Sequence, residues 1–284
     1  MGEYLNMLNK LKEDTIINFG EEWKYFNHLD ISNEALSKYY NDYFSLIDFS
    51  ALPINSRVFD LGCGSGRWSR FVADKVGTLY CIDPSKEALE IARQNLINFQ
   101  NVYFYDYDAD NLAFEDNFFD FGFSLGVLHH IQDTLSGIKS AVRVLKVGSP
   151  FLLYLYFSFD NKPLWYKLIW KLTDFLRILI SKLPFRIKLI ICNAIAFFIY
   201  YPLSRLSKFL NNYGVDTKNF PLNYYKNATI YTMKNDALDR FGTKIEQRFS
   251  KLEISEMLFK AGLINIEFSP NPPYWVVKGY KSYT

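Results

Sequence analysis

At 284 residues and 49% hydrophobic content, the chain is long and apolar enough for one large domain, or for one domain carrying a substantial insertion. Three cysteines without paired spacing argue against a disulfide framework and a zinc site, and point to a reducing compartment. The net charge of +2 hides an asymmetry: positions 160–210 hold nine Lys/Arg against two Asp, leaving 23 basic and 28 acidic residues elsewhere.

Residues 1–50 predict a helical cap, from the spacing of Trp23, Phe26, Leu36, Tyr40 and Phe44. The start of the chain is polar and mixed in charge, with no secretory leader core, so a cytoplasmic location is expected. Val58–Leu61 then reads as a short buried strand, followed by Gly62, Gly64 and Gly66 and by a helical pattern over Trp68–Val76. Strand, glycine turn and helix make the local plan of a nucleotide-binding α/β domain, because glycine lets backbone approach a ligand without an intervening Cβ. The spacing is G-x-G-x-G; the dinucleotide fingerprint needs its third glycine where Arg67 stands. Asp60, two residues before the first glycine, would repel a pyrophosphate and suits a cationic ligand.

A second strand, Thr78–Asp83, ends in an acid. Doubly wound folds place at this point the carboxylate that accepts ribose hydroxyls. Capping the helix predicted over 86–98 is the other reading of Asp83. Asn101–Tyr105 is a third strand, with Asp106, Asp108 and Asp110 behind it. Asn117–Ser124 is a fourth, running into Leu125–Ile131 with its adjacent His129 and His130. A helix over 134–145 and a strand over 150–156 follow. Ser250–Glu253 has the capping-box pattern for a helix ending at Gly262, and 263–268 and 274–280 read as the last strands.

Phe59–Gly66 resembles motif I of the class I S-adenosylmethionine-dependent methyltransferases, within the group that includes methyltransferase type 11 and quinone-biosynthesis enzymes. The later landmarks fall in that family's order over about 57–157 and again from about 250. The resemblance implies an α/β fold with a doubly wound, seven-stranded Rossmann-like sheet whose last strand is antiparallel. It divides the chain into an N-terminal helical cap (1–50), a cofactor domain (51–157 and 250–284) and a helical insertion (158–249). It implies S-adenosylmethionine as cofactor, contacted by Asp60, Gly62, Gly64, Gly66 and Leu125. Asp83 would hold the ribose, Asp108 would accept from the adenine amino group, and the Ala109 N–H would reach a ring nitrogen. A register shift to Asp106 stays open. Phe19–Trp23 resembles the segment that can cover the cofactor, with an ordinary packing helix as the alternative. The family admits its methyl acceptor near the loop after the fourth strand, so His130 is the candidate general base and His129 a candidate acceptor contact. Packing and capping is the competing reading of that pair. Acceptor specificity is often built between the fifth strand and the last helix, which makes Tyr225, Asp239 and Arg240 candidates, against local ion pairs in a solvated helix. No metal site is expected.

Within the insertion, Pro163–Lys182 predicts an amphipathic helix, and Leu189–Leu203 is an apolar run broken by Pro202, short for a membrane crossing. A helical lid packed on itself and on the sheet is the favoured reading. Peripheral contact of 163–210 with the inner face of an anionic membrane is the alternative. The expected function is methyl transfer from S-adenosylmethionine to a small-molecule, glycan-linked or lipid-linked acceptor. A non-catalytic S-adenosylmethionine-binding module is one rival. A nicotinamide-dependent oxidoreductase is another, and it leaves Asp60 and Asp108 unexplained. Nucleic acid is not an expected partner, because the basic positions are mixed with large apolar residues. Asn271–Tyr274 also falls after the sixth strand, whereas the amino-methyltransferase motif of the same letters follows the fourth.

Overall fold

Strands that are apolar on both faces favour parallel pairing beneath two layers of helices. A computed structural model, which describes residues 2–27 and 33–283, has this arrangement; positions 28–32 of the expected N-terminal cap lie outside it. The chain divides into two compact units, Met1–Ser158 with Gln247–Thr284, and Phe159–Glu246.

The first unit contains seven strands: β1 (Arg57–Leu61), β2 (Thr78–Ile82), β3 (Val102–Tyr105), β4 (Phe121–Leu125), β5 (Pro150–Tyr154), β6 (Leu263–Phe268) and β7 (Val276–Lys281). They form one sheet in the order β3-β2-β1-β4-β5-β7-β6. Pairing is parallel except at β7, which runs antiparallel to both β5 and β6. The strand order reverses between β1 and β4, where doubly wound sheets open a ligand crevice at the carboxyl ends. Helices α2 (Asn33–Phe44), α3 (Ser69–Val72) and α4 (Lys86–Asn95) cover one face over Val58, Leu79, Phe121 and Phe123. Helices α5 (Thr134–Val144) and α10 (Lys251–Lys260) cover the other over Phe59, Leu61, Phe151 and Leu153. Helix α1 spans Gly2–Tyr25. The predicted capping box is complete: Ser250 and Glu253 each satisfy the other's backbone N–H at the start of α10.

The helix after the glycine loop is shorter than its apolar pattern predicts. Four residues of α3 tighten into a 3-10 turn at Ala73–Lys75. The Asn101 side chain accounts for the early ending, because its amide donates to the carbonyls of Ala73 (2.9 Å) and Val76 (3.1 Å).

The second unit comprises α6 (Leu164–Ile180), α7 (Phe185–Ile195), α8 (Tyr201–Asn212) and α9 (Ile230–Gly242). The break expected at Pro202 does not occur, and Phe185–Asn212 is one continuous helix. A π-turn at Ala196–Tyr200 takes up the missing N–H and the bulk of the proline ring. Within this unit α9 packs against both α6 and α7, while most of the apolar side chains of α6 stand exposed.

One close approach sets the spacing of the central strands. Phe59 and Gly122 are register partners across β1 and β4, and a Cβ at Gly122 would lie 2.1 Å from the Phe59 ring. Gly122→Ala is therefore expected to cost ~1–3 kcal/mol through overpacking, read as a lower urea midpoint. An unchanged midpoint would show that the ring moves aside freely.

Candidate active site

The site starts from the turn that ends β1. Gly62 and Gly64 have φ of +77° and +54°, a region that only glycine enters cheaply. The Gly62 N–H donates to the Ile82 carbonyl at 2.7 Å, and the Gly64 N–H donates to Asp83 Oδ2 at 3.0 Å. Asp83 Oδ1 accepts from the Ser85 N–H at 2.9 Å. The helix-capping role is filled by Ser85, whose hydroxyl accepts from the Ala88 N–H, so the capping alternative for Asp83 is corrected. Each Asp83 oxygen accepts one backbone bond and keeps further lone-pair capacity.

Asp60 is buried beside this turn, and its Oδ2 accepts from the Ser69 hydroxyl at 2.6 Å. Ser69 is a partner of Asp60 that the sequence reading missed; its only local signal is its place at the first position of the helix after the loop. Burial pushes the Asp60 carboxyl up to about 7, against the lowering effect of the Ser69 bond. Burial likewise pushes Asp83 up to about 6, against the backbone bonds from Ser85 and Gly64.

Helix α1 lies over these strand ends. A Cβ at Gly64 would fall 2.7 Å from the Trp23 indole, so the ring rests directly on the loop backbone. Phe19 meets His130 edge-on with centroids 5.1 Å apart. Lys12 pairs with both Asp108 and Asp110 at 3.2 Å, and the Gln132 side chain donates to the Leu8 carbonyl. In this conformation Asp108, the expected adenine partner, is already engaged by Lys12. Ala109 beside it is buried, and Asp106 turns toward Lys86 at 4.0 Å.

Leu125 ends β4, and the two histidines follow in a 3-10 turn, Leu128–His130. The structure corrects the expected open placement of this pair, because both imidazoles are buried. His130 lies under Phe19, and His129 stacks on Tyr156 with centroids 3.8 Å apart. Among the described residues, neither ring nitrogen of His129 has a hydrogen-bond partner. Burial, with the charges of His130 and Arg248, pulls its pKa well below 6.5 and leaves it neutral. Gln247 fastens the turn: its N–H donates to the His129 carbonyl at 2.9 Å and its amide to the Ile131 carbonyl at 2.6 Å. No signal near the histidines could have revealed a partner so distant in sequence.

Tyr225, Asp239 and Arg240 belong to the other unit, and what the structure shows there differs from a solvated, substrate-facing patch. Arg240 is buried, with Nη1 bonded to both Glu246 oxygens (2.9 and 3.0 Å) and 3.4 Å from Asp174. The Asp239 carbonyl accepts from the Thr243 hydroxyl. Burial, followed by the nearby Asp236 charge, raises the Tyr225 hydroxyl well above 10, so it keeps its proton. These groups hold α9 within its unit.

Comparison with known proteins defines the class to which this geometry belongs. Residues 59–153 match the family model described as a methyltransferase domain. Demethylmenaquinone methyltransferase of Staphylococcus epidermidis is 34% identical over 99 residues, which are 33% of this chain and 40% of that protein. The Staphylococcus aureus enzyme of the same name is 35% identical over 98 residues, or 32% and 39% of the two chains. This chain thus spans about two fifths of the length of the curated relatives it matches. Among solved structures, the S-adenosylmethionine-dependent methyltransferase SibL superposes with a TM-score of 0.53 over 87% of this chain and 55% of that one, at 14% identity. A methyltransferase of Methanosarcina mazei gives 0.50 over 82% and 95%, at 18% identity. Residues 59–153 thus match a methyltransferase domain, and the seven-stranded sheet has the fold of the superposed methyltransferases.

The residues present fit S-adenosylmethionine. Two buried carboxylates of raised proton affinity suit a ligand that brings positive charge and hydroxyl donors. A cation beside them lowers both pKa values, so binding releases protons at pH values near and below the free-state pKa. Affinity for S-adenosylmethionine is therefore expected to strengthen as pH rises through about 6 to 7 and to level off above. Calorimetric titrations at several pH values would show this, and Asp60→Asn should flatten the profile. A wild-type affinity that does not vary with pH would contradict the electrostatic account.

Proposed function

We propose that this chain transfers a methyl group from S-adenosylmethionine to an apolar small-molecule or lipid-linked acceptor. The observation that carries the reading is the grip of Asp83 on the glycine loop at the switch point, inside a segment that matches a methyltransferase domain. The bound cofactor supplies a sulfonium whose methyl group leaves by in-line displacement. Asp83 is positioned to accept from ribose hydroxyls, and buried Asp60 to balance positive charge. Asp108 and the Ala109 N–H are assigned to adenine once Lys12 gives up its ion pair. What these residues contribute is alignment, and α1 contributes a cover that excludes water.

The apolar nature of the acceptor is supported by the aromatic wall beyond β4 and β5. Tyr43 packs on Tyr154 at 5.0 Å, Tyr154 on Tyr156 at 5.9 Å, and His129 on Tyr156 at 3.8 Å. The matched relatives are named for demethylmenaquinone, a quinone, and a planar apolar acceptor of that kind suits such a wall. Where the acceptor is a hydroxyl, His130 is assigned its proton once Phe19 and α1 move aside; a carbon or amine acceptor needs no such base.

The test is transfer of a tritium-labelled methyl group from the cofactor to a panel of quinols, phenols and lipid-linked sugars. Asp83→Ala should weaken cofactor binding by ~1–3 kcal/mol through lost charged hydrogen bonds. His130→Ala should leave cofactor affinity nearly unchanged and lower turnover on a hydroxyl acceptor by roughly 10²–10⁴-fold. Normal turnover in the histidine variant would remove it from the chemistry. Tight cofactor binding without transfer to any acceptor would favour the non-catalytic module.

A further inference from the structure

We infer that the Phe159–Glu246 unit is a membrane-docking module whose outer surface, built by α6 and the exposed side of α7–α8, lies in the headgroup region of an anionic bilayer. This inference is independent of what the first unit transfers.

The first observation is that the amphipathicity of α6 is turned inside out. The side that faces α9 is polar: Asp174 and Arg177 pair at 2.6 Å, Arg177 donates to the Thr243 carbonyl, and the Arg240 guanidinium lies over Trp170. The opposite side carries Leu164, Leu168, Leu172, Phe175 and Leu179 at three- and four-residue spacing, which makes one stripe. Leu164 is 82% exposed and Leu172 is 65% exposed, with Trp165 alongside. A helix of a water-soluble unit turns such a stripe inward. A contiguous exposed apolar surface of this kind marks an interaction face. The second observation is that the continuous helix Phe185–Asn212 adds Ile190, Phe197 and Phe198 to the outside, the last of them 73% exposed.

Charge identifies the occupant. Lys167, Lys171, Lys182, Arg186 and Lys208 are exposed or half-buried, and none forms an ion pair among the described residues. The buried cations of the unit are engaged by contrast, Arg177 with Asp174 and Lys188 with the Gly242 carbonyl. Exposed leucines flanked by free lysines match acyl chains below anionic headgroups. A second copy of this surface would bring the same cations against one another, and a nucleic acid would leave the apolar stripe without a partner.

The length and composition of Phe185–Asn212 would also allow a membrane crossing. Its inner side argues for lying on the surface instead. α9 packs along α7, where Lys188 donates to the Gly242 carbonyl, and Arg205 of α8 donates to the Lys226 and Ala228 carbonyls. A spanning helix would strand these groups in hydrocarbon.

The experiment uses the full chain with sucrose-loaded phosphatidylcholine vesicles, with and without phosphatidylglycerol. Co-sedimentation with the anionic vesicles is expected, weakened by salt, together with quenching of tryptophan fluorescence by brominated acyl chains. Lys167→Glu with Lys171→Glu should weaken partitioning by at least about 30-fold, since each basic residue near the surface is worth about a factor of five. Leu172→Asp with Phe175→Asp should abolish it while leaving the circular dichroism spectrum unchanged, because both positions are exposed. Absence of wild-type binding, or binding indifferent to both pairs of substitutions, overturns the inference. So does a lipid-free dimer, seen by light scattering, that the Leu172→Asp and Phe175→Asp pair dissociates.

Discussion

One carboxylate, gripped by two backbone amides, organises the first unit. Asp83 joins the left-handed glycine turn after β1 to the head of α4 by accepting from Gly64 and Ser85. Without it, the Gly64 N–H would be a buried donor lacking a partner, at a cost of about 1–3 kcal/mol. With it, the loop, the end of β2 and the start of α4 hold a common geometry at the point where the strand order reverses. The same burial that fixes the loop disfavours the charge on Asp83 and on neighbouring Asp60. A cationic ligand would relieve that penalty.

The two units differ in how much buried charge they carry. The first has an apolar interior on both faces of its sheet, with Phe59 and Phe119 packed edge to face and Phe151 tilted beside Phe59. The second adds to its buried apolar residues, among them Ala196, Met233, Ala237 and Leu238, a charged network of Asp174, Arg177, Arg240 and Glu246. Removing one partner of such a buried network strands the others and costs several kcal/mol, ~3–5 in comparable cases.

The features legible in the sequence are those written locally. Asp60, the three glycines and Asp83 occupy positions fixed by a strand–turn–helix–strand path, and the antiparallel last strand followed from the resemblance they carry. The capping box at Ser250 was legible because both its members lie within four residues. What sequence could not show depends on distant partners. The early end of α3 is imposed by Asn101, the burial of His129 and His130 by Phe19 and Tyr156, and the bond between Arg240 and α6 by Asp174. The orientation of α6 was hidden for a different reason, since an apolar stripe has the same spacing whether it faces a core or a bilayer. Pro202 misled because a π-turn can absorb a proline that a regular helix cannot.

The central claim, that the Asp83 loop holds the adenosyl group shared by S-adenosylmethionine and its demethylated product, is tested most directly by titrating the wild-type chain with S-adenosylhomocysteine and, separately, with NAD, while recording heat and tryptophan fluorescence. The account predicts saturable one-site binding of S-adenosylhomocysteine, a fluorescence change from Trp23 on the Gly64 backbone, and no heat with NAD. Binding of NAD in competition with S-adenosylhomocysteine, or no binding of S-adenosylhomocysteine at all, would contradict it.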